Sequence, residues 1–260
     1  MDLYNTGVRA VIDQFLLDEA AKERDYGDYW SASSAGYCMR KLVFERLGIP
    51  KTKEPDPRTQ RVFSAGHVFH EWLQKLTKEA GVSVAQELEL QDEKLMVRGH
   101  FDDLIKTESG LILYDYKTAS SKSFGYKREV SHFHRMQVGT YLYMLRKKKE
   151  YKDLSGGRVL ILEKDTLRTK EFQVMWDKQL AMDIYQYWST LNGYWESSKI
   201  PNCTCADYEG GFMAKEQYND YFYNGEPCSL EWFKQWQESK ERENESEQPS
   251  GKSVADLAAN

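Results

Sequence analysis

Two residues of the segment GLILYDYKTAS, Asp115 and Lys117, have a spacing that suits shared chemistry. In an extended strand the side chains alternate between faces, so residues two apart point the same way. Asp102 lies thirteen residues before Asp115, near the end of a preceding extended segment. A tight hairpin around Glu108 to Gly110 would bring it beside Asp115. Two carboxylates and one lysine then converge. Oxygen ligands of this kind suit magnesium or manganese, which neutralise charge on a phosphate and lower the pKa of a bound water. An adjacent lysine can position or deprotonate that water and stabilise the transition state. The bland alternative is an exposed cross-strand ion pair, a common fate of alternating charge in a strand.

Three further residues extend the set. His70 follows Gly66 by four positions and precedes Leu73 by three, which puts it on the inner stripe of a helix, where a neutral imidazole can complete a coordination sphere. Gln137 and Tyr141 stand i to i+4 on a later helix and share one face. They could hold a nucleotide backbone or orient Lys117. Four cysteines, Cys38, Cys203, Cys205 and Cys228, flank a long middle segment without any. They are too few for a disulfide scaffold, which leaves free thiols or metal ligands. Thiolates suit either an iron-sulfur cluster or zinc.

The elements that must position these residues are readable from periodicity. Residues 7 to 23 predict an amphipathic helix, and SASSAGYCMRKLVFERLGIP a second that stops at Gly48 and Pro50. A third helix is predicted over Gln60 to Glu79, with Phe63, Gly66, Phe69, Leu73 and Leu76 along its inner stripe. Three extended segments follow, VSVAQELEL, KLMVRGHFDDLIK and GLILYDYKTAS, and they read as an antiparallel meander. A long helix over Lys127 to Lys149, two strands and an aromatic helix over Asp177 to Ser197 complete the pattern. The order argues for an α+β fold, a mixed sheet with helices on its faces. We expect one domain over 1–236, in which residues 1–80 are helical, residues 60–200 form the core and residues 201–236 carry the later cysteines. From 237 the sequence has almost nothing to bury and predicts a disordered tail.

The 260 residues carry a net charge of −5, so any surface for nucleic acid must be local. Arg40 and Lys41, Lys122 to Arg128, and Arg146 to Lys149 are candidates. No secretory signal and no membrane-length apolar run is visible, so the expected location is the cytoplasm.

Taken together, GHVFH (66–70), GHFD (99–102), DYK (115–117) and QVGTY (137–141) resemble the RecB-like nucleases of the PD-(D/E)XK superfamily, which include CRISPR-associated and phage recombination exonucleases. The likeness covers roughly residues 30 to 200. It implies metal ligation by His70, Asp102, Asp115 and the backbone carbonyl of Tyr116, catalysis by Lys117, and support of the site or DNA contact by Gln137 and Tyr141. It further implies a four-iron, four-sulfur cluster on Cys38, Cys203, Cys205 and Cys228, although the Cys-Thr-Cys spacing and the long gap to Cys228 depart from the family's pattern. The expected activity is a metal-dependent DNA exonuclease acting on single-stranded or resected ends in recombination, repair or CRISPR-type processing. Its cell would be bacterial, archaeal or phage-infected. An endonuclease on the same core and a non-catalytic DNA-binding assembly subunit are the alternatives. A scaffold has no physical need to hold two carboxylates beside a lysine.

Overall fold

A computed structural model describes residues 7–22, 27–151, 154, 156–207 and 209–247. In chain order its helices are α1 (Val8–Ala21), α2 (Met39–Arg46), α3 (Pro57–Glu79), α4 (Ser121–Tyr126), α5 (His132–Leu145), α6 (Lys178–Glu196) and α7 (Leu230–Glu247). The strands are β1 (Trp30–Ser31), β2 (Ser83–Gln86), β3 (Glu89–Asp92), β4 (Val97–His100), β5 (Asp103–Thr107), β6 (Gly110–Ala119), β7 (Gly156–Glu163) and β8 (Thr169–Met175). The sequence suggests one domain over 1–236; the described residues pack as two units, those within 1–37 and 54–200, and those within 38–53 and 201–247.

In the first unit, five strands form a mixed sheet of order β2-β5-β6-β7-β8. β5 and β6 make the expected hairpin, pairing Asp103 with Tyr114 and Thr107 with Gly110 across a two-residue turn. β6 and β7 run parallel, joined by the crossover through α4 and α5. A second sheet has the order β1-β4-β3. The expected three-strand meander is therefore corrected, because its first two segments each divide between the two sheets. The breaks fall at Glu87, which adopts φ 49°, and at residues 101–102, between β4 and β5. Such a φ is uncommon outside glycine, and nothing in the side chain announces it.

The long helix expected over Lys127 to Lys149 is shorter, His132–Leu145, and begins where the Ser131 hydroxyl accepts the His134 N–H at 3.2 Å. Most of α5 is buried. β7 approaches it closely: a Cβ on Gly157 would meet Val138 Cγ1 at 2.6 Å and the Leu113 carbonyl oxygen at 3.1 Å. Gly157→Ala should therefore cost about 1–3 kcal/mol, read as a lower melting temperature, because a backbone carbonyl cannot step aside as a side chain tip can. An unchanged melting temperature would show that β7 has room.

The expected inner stripe of α3 is also corrected. Phe63 and Leu76 are 58% and 43% exposed, whereas Gln74 is buried. Leu73 of the expected stripe does pack against Ile105, Tyr114 and Tyr116 of the sheet, and polar side chains of α3 beside it satisfy groups of the strands. Gln74 donates to the Asp102 carbonyl at 2.9 Å and Thr77 to Asp103 at 2.5 Å.

In the second unit, Leu42, Val43 and Phe44 of α2 are buried. The Phe44 ring meets Tyr221 edge-on and stacks on Phe233, each with centroids 5.4 Å apart. Arg40 donates to the carbonyls of Pro201 and Cys228, and Lys41 pairs with Asp220 at 2.9 Å. Both basic side chains are thus engaged inside this unit. α7 runs through residue 247, eleven residues into the segment expected to be a disordered tail; residues 248–260 lie outside the described ones.

Candidate active site

Asp115 and Lys117 stand on the same face of β6, and their side chains meet: Lys117 Nζ donates to Asp115 Oδ1 at 2.9 Å. Asp102 immediately precedes β5, so the β5/β6 register carries it opposite Asp115. Its Oδ2 accepts the Tyr116 backbone N–H at 2.6 Å and lies 3.7 Å from His70 Nδ1. His70 reaches this point because α3 lies close to β6 beside Gly66, where a Cβ would come 3.5 Å from Thr118 Oγ1. His70, Asp102, Asp115 and Lys117 are thereby brought to one place. Tyr116, between the two strand residues, turns its hydroxyl to the opposite face and donates to Asp103 at 3.0 Å.

Burial shapes the electrostatics. Asp115 is 1% exposed, and its Oδ2 has no hydrogen-bond partner. Burial pushes the carboxyls of Asp102 and Asp115 up to about 6, against the pull of Lys117. Burial also works to lower the Lys117 pKa, but Asp115 and Asp102 outweigh it and the net shift is upward. Lys117 is therefore an ammonium at neutral pH. Burial, then the Lys117 charge, hold the His70 imidazole below its ordinary value.

These carboxyls make a pH prediction. A folded-state pKa raised above 3.8 means the folded chain holds protons that the unfolded chain releases, so this stability is present below pH 3.8 and is lost as pH rises through about 6. His134, held neutral down to about 3 mainly by burial, works in the opposite direction. The readout is therefore a difference: without divalent cation, the melting temperature of Asp115→Asn should gain on the wild type between pH 4 and 7. A constant offset would show that Asp115 is solvated.

Gln137 and Tyr141 are not on a free helix face. Both are buried, and Tyr141 packs over Gly99, whose added Cβ would meet the hydroxyl at 3.2 Å. Gln137 hydrogen-bonds Tyr141, and burial followed by Asp115 raise the Tyr141 pKa.

Three neighbours of the site escape sequence reasoning. Gln74 bonds both the Asp102 carbonyl and Glu87 Oε1, the latter at 2.6 Å. Its signal was present, since it follows His70 by four positions. Asp103 takes hydrogen bonds from Thr77, Ser83, Gln86 and Tyr116, so the second aspartate of the pair is a structural hub. His134 Nδ1 is buried without a hydrogen-bond partner.

The donor set fits a hard divalent cation: a buried carboxyl with an unpartnered oxygen and a half-buried one, beside an imidazole. Among the described residues, the group of three or more potential ligands whose donor atoms lie within 4.8 Å of one another is that of Cys38, Cys203, Cys205 and Cys228, in the second unit.

Comparison with known proteins bears on the first unit. No curated protein matches the chain. A solved structure described as the crystal structure of SSO0001 is 17% identical, with a TM-score of 0.48, over 78% of this chain and 96% of that one. Residues 77–192 match the model of the PD-(D/E)XK nuclease superfamily. Asp102, Asp115 and Lys117 fall inside that stretch, and His70 precedes it. Over residues 77–192, and there alone among these findings, the chain is similar to the PD-(D/E)XK nuclease superfamily.

Proposed function

We propose that this chain is a divalent-metal-dependent deoxyribonuclease of the RecB-like kind, an exonuclease acting on single-stranded or resected DNA. The observation that carries the reading is Asp115, buried with one oxygen unpartnered and the other held by Lys117. A buried carboxylate with an unsatisfied oxygen is costly, and such a group is retained where it has work to do.

Asp102, Asp115, His70 and the Tyr116 carbonyl would hold magnesium or manganese. Bound there, the cation would offset charge on the scissile phosphate and acidify a water. Lys117, charged at neutral pH, serves as a donor to the attacking water or the phosphate oxygens. Asp115 fixes where its ammonium points. The Tyr116 N–H fixes one oxygen of Asp102, and Gln74 anchors the backbone behind it. Tyr141, packed against Gly99 and hydrogen-bonded by Gln137, would support the site residues. The likeness to recombination and CRISPR-associated exonucleases supports a role in DNA processing.

The test is end-labelled single- and double-stranded DNA with magnesium, manganese or chelator, alongside a circular single strand. Magnesium-dependent release of nucleotides from linear DNA, with the circle intact, is the expected result. Cutting of the circle would make the enzyme an endonuclease, and no cleavage under any cation would leave a DNA-binding scaffold. His70→Ala should move the manganese titration to higher concentration more than it weakens DNA binding. An unchanged titration would return His70 to a packing role. The four thiolates enter none of these steps.

A further inference from the structure

The four-iron cluster implied by the sequence resemblance can be set against the sulfur positions. All four Sγ atoms lie within 4.8 Å of one another. Cys38 and Cys203 are 4.0 Å apart, and Cys205 and Cys228 are 3.5 Å apart. A single tetrahedral ion with metal–sulfur bonds of about 2.3 Å sets its thiolates about 3.8 Å from one another. That edge falls inside the observed range. A cubane places four irons and four sulfides between its thiolates, each thiolate on a different iron, and so needs them farther apart than a single ion does. Sulfurs this close leave no volume for eight atoms. The cluster does not fit.

We infer that Cys38, Cys203, Cys205 and Cys228 form a closed site for one tetrahedral divalent ion of the zinc class, with Asn219 as its positioning residue. Asn219 is 1% exposed. Its Nδ2 donates to Cys205 Sγ at 3.3 Å, to Cys228 Sγ at 3.6 Å and to the Met213 carbonyl at 2.9 Å. Its Oδ1 accepts the backbone N–H of Tyr221 at 3.0 Å and of Cys228 at 3.2 Å. The Thr204 N–H adds a donor to Cys38 Sγ at 3.4 Å. Four thiolates around a dication carry net negative charge, and N–H donors aimed at sulfur offset it. A side chain tied at both ends to two ligand residues fixes where their sulfurs stand. With four protein ligands the site has no open position, which makes it structural and not catalytic.

The test does not depend on the nuclease reading. Full-length, untagged chain purified anaerobically from iron-replete cells should be colourless, with one zinc per chain and no stoichiometric sulfide. Exchange with cobalt should give the visible bands of a tetrahedral ion and the charge-transfer absorption of thiolate ligands. Asn219→Ala should keep the cobalt spectrum while losing metal to a chromophoric chelator roughly tenfold faster. The same metal content in the Lys117→Ala chain would separate this centre from the chemistry of the first unit. Brown protein with about four irons and four sulfides per chain would overturn the inference. Metal-free protein with four freely titrating thiols would overturn it too. Unaltered release from Asn219→Ala would remove Asn219 from it.

Discussion

Lys117→Ala and Asp115→Asn should each lower the rate of DNA cleavage at least a hundredfold, with a melting temperature near that of the parent chain. The rate loss follows from removing a preorganised charge where charge develops in the transition state. The stability argument is local. Without Lys117, Asp115 loses its 2.9 Å partner, but a buried carboxyl already pushed up to about 6 then takes up a proton and stays neutral. In Asp115→Asn the amide removes the titration altogether, so that chain should melt at or above the parent above pH 6. Loss of activity with retained or improved stability is the signature of a functional group that the fold carries at a cost. Initial rates on labelled DNA and thermal melts on the same preparations check both halves. Cleavage within a few-fold of the parent in either variant would remove these residues from the site.

Cys205→Ser should unfold the second unit while leaving the first unit's chemistry intact in whatever protein stays soluble. Cys205 is buried, and its sulfur lies among three others. Structural zinc contributes on the order of 10 kcal/mol to small domains that close around it. A whole domain is stable by only about 5–15 kcal/mol. The Phe44, Tyr221 and Phe233 cluster is small, and it does not make up such a loss. The expected result is poor yield and rapid proteolysis at the lysines and arginines of the second unit, with specific activity per soluble chain within a few-fold of the parent. A normally soluble Cys205→Ser chain with an unchanged melting profile would show that the sulfurs do not hold this unit together.

How much of this was readable in advance depended on how local the cause was. Asp115 and Lys117 share a face because strand geometry has a period of two, and Asp102 joins them because a two-residue turn sets the register. Those facts need no tertiary knowledge. The division of the meander into two sheets was hidden, since it turns on Glu87 in a left-handed conformation and on the break at residues 101–102. The ends of the α3 stripe were hidden for a different reason. Apolar spacing placed Leu73 correctly but counted Phe63 and Leu76 inward as well, whereas the rest of the face that meets the sheet is set by Gln74 and Thr77, whose partners are known only once the strands are placed. Gln137 and Tyr141 were readable as a pair but not as buried, because the cover over Tyr141 comes from Gly99, far away in sequence. The cysteines were readable as a set of four. Their spacing in the chain held no information on the distances between their sulfurs.

The position of Cys38 sets an order of events during synthesis. It lies 165 residues ahead of Cys203, and nearly everything between them belongs to the other unit. At about 5–20 residues per second, a ribosome needs on the order of ten seconds to supply the next sulfur. Throughout that interval Cys38 is a lone thiol on a nascent chain, and α2 has neither Tyr221 nor Phe233 to cover Phe44. The first unit can complete its sheets within the interval, since its residues end at 200. The second cannot begin to close until the last quarter of the chain emerges, so the earlier-made thiol must be kept reduced by its surroundings while it waits.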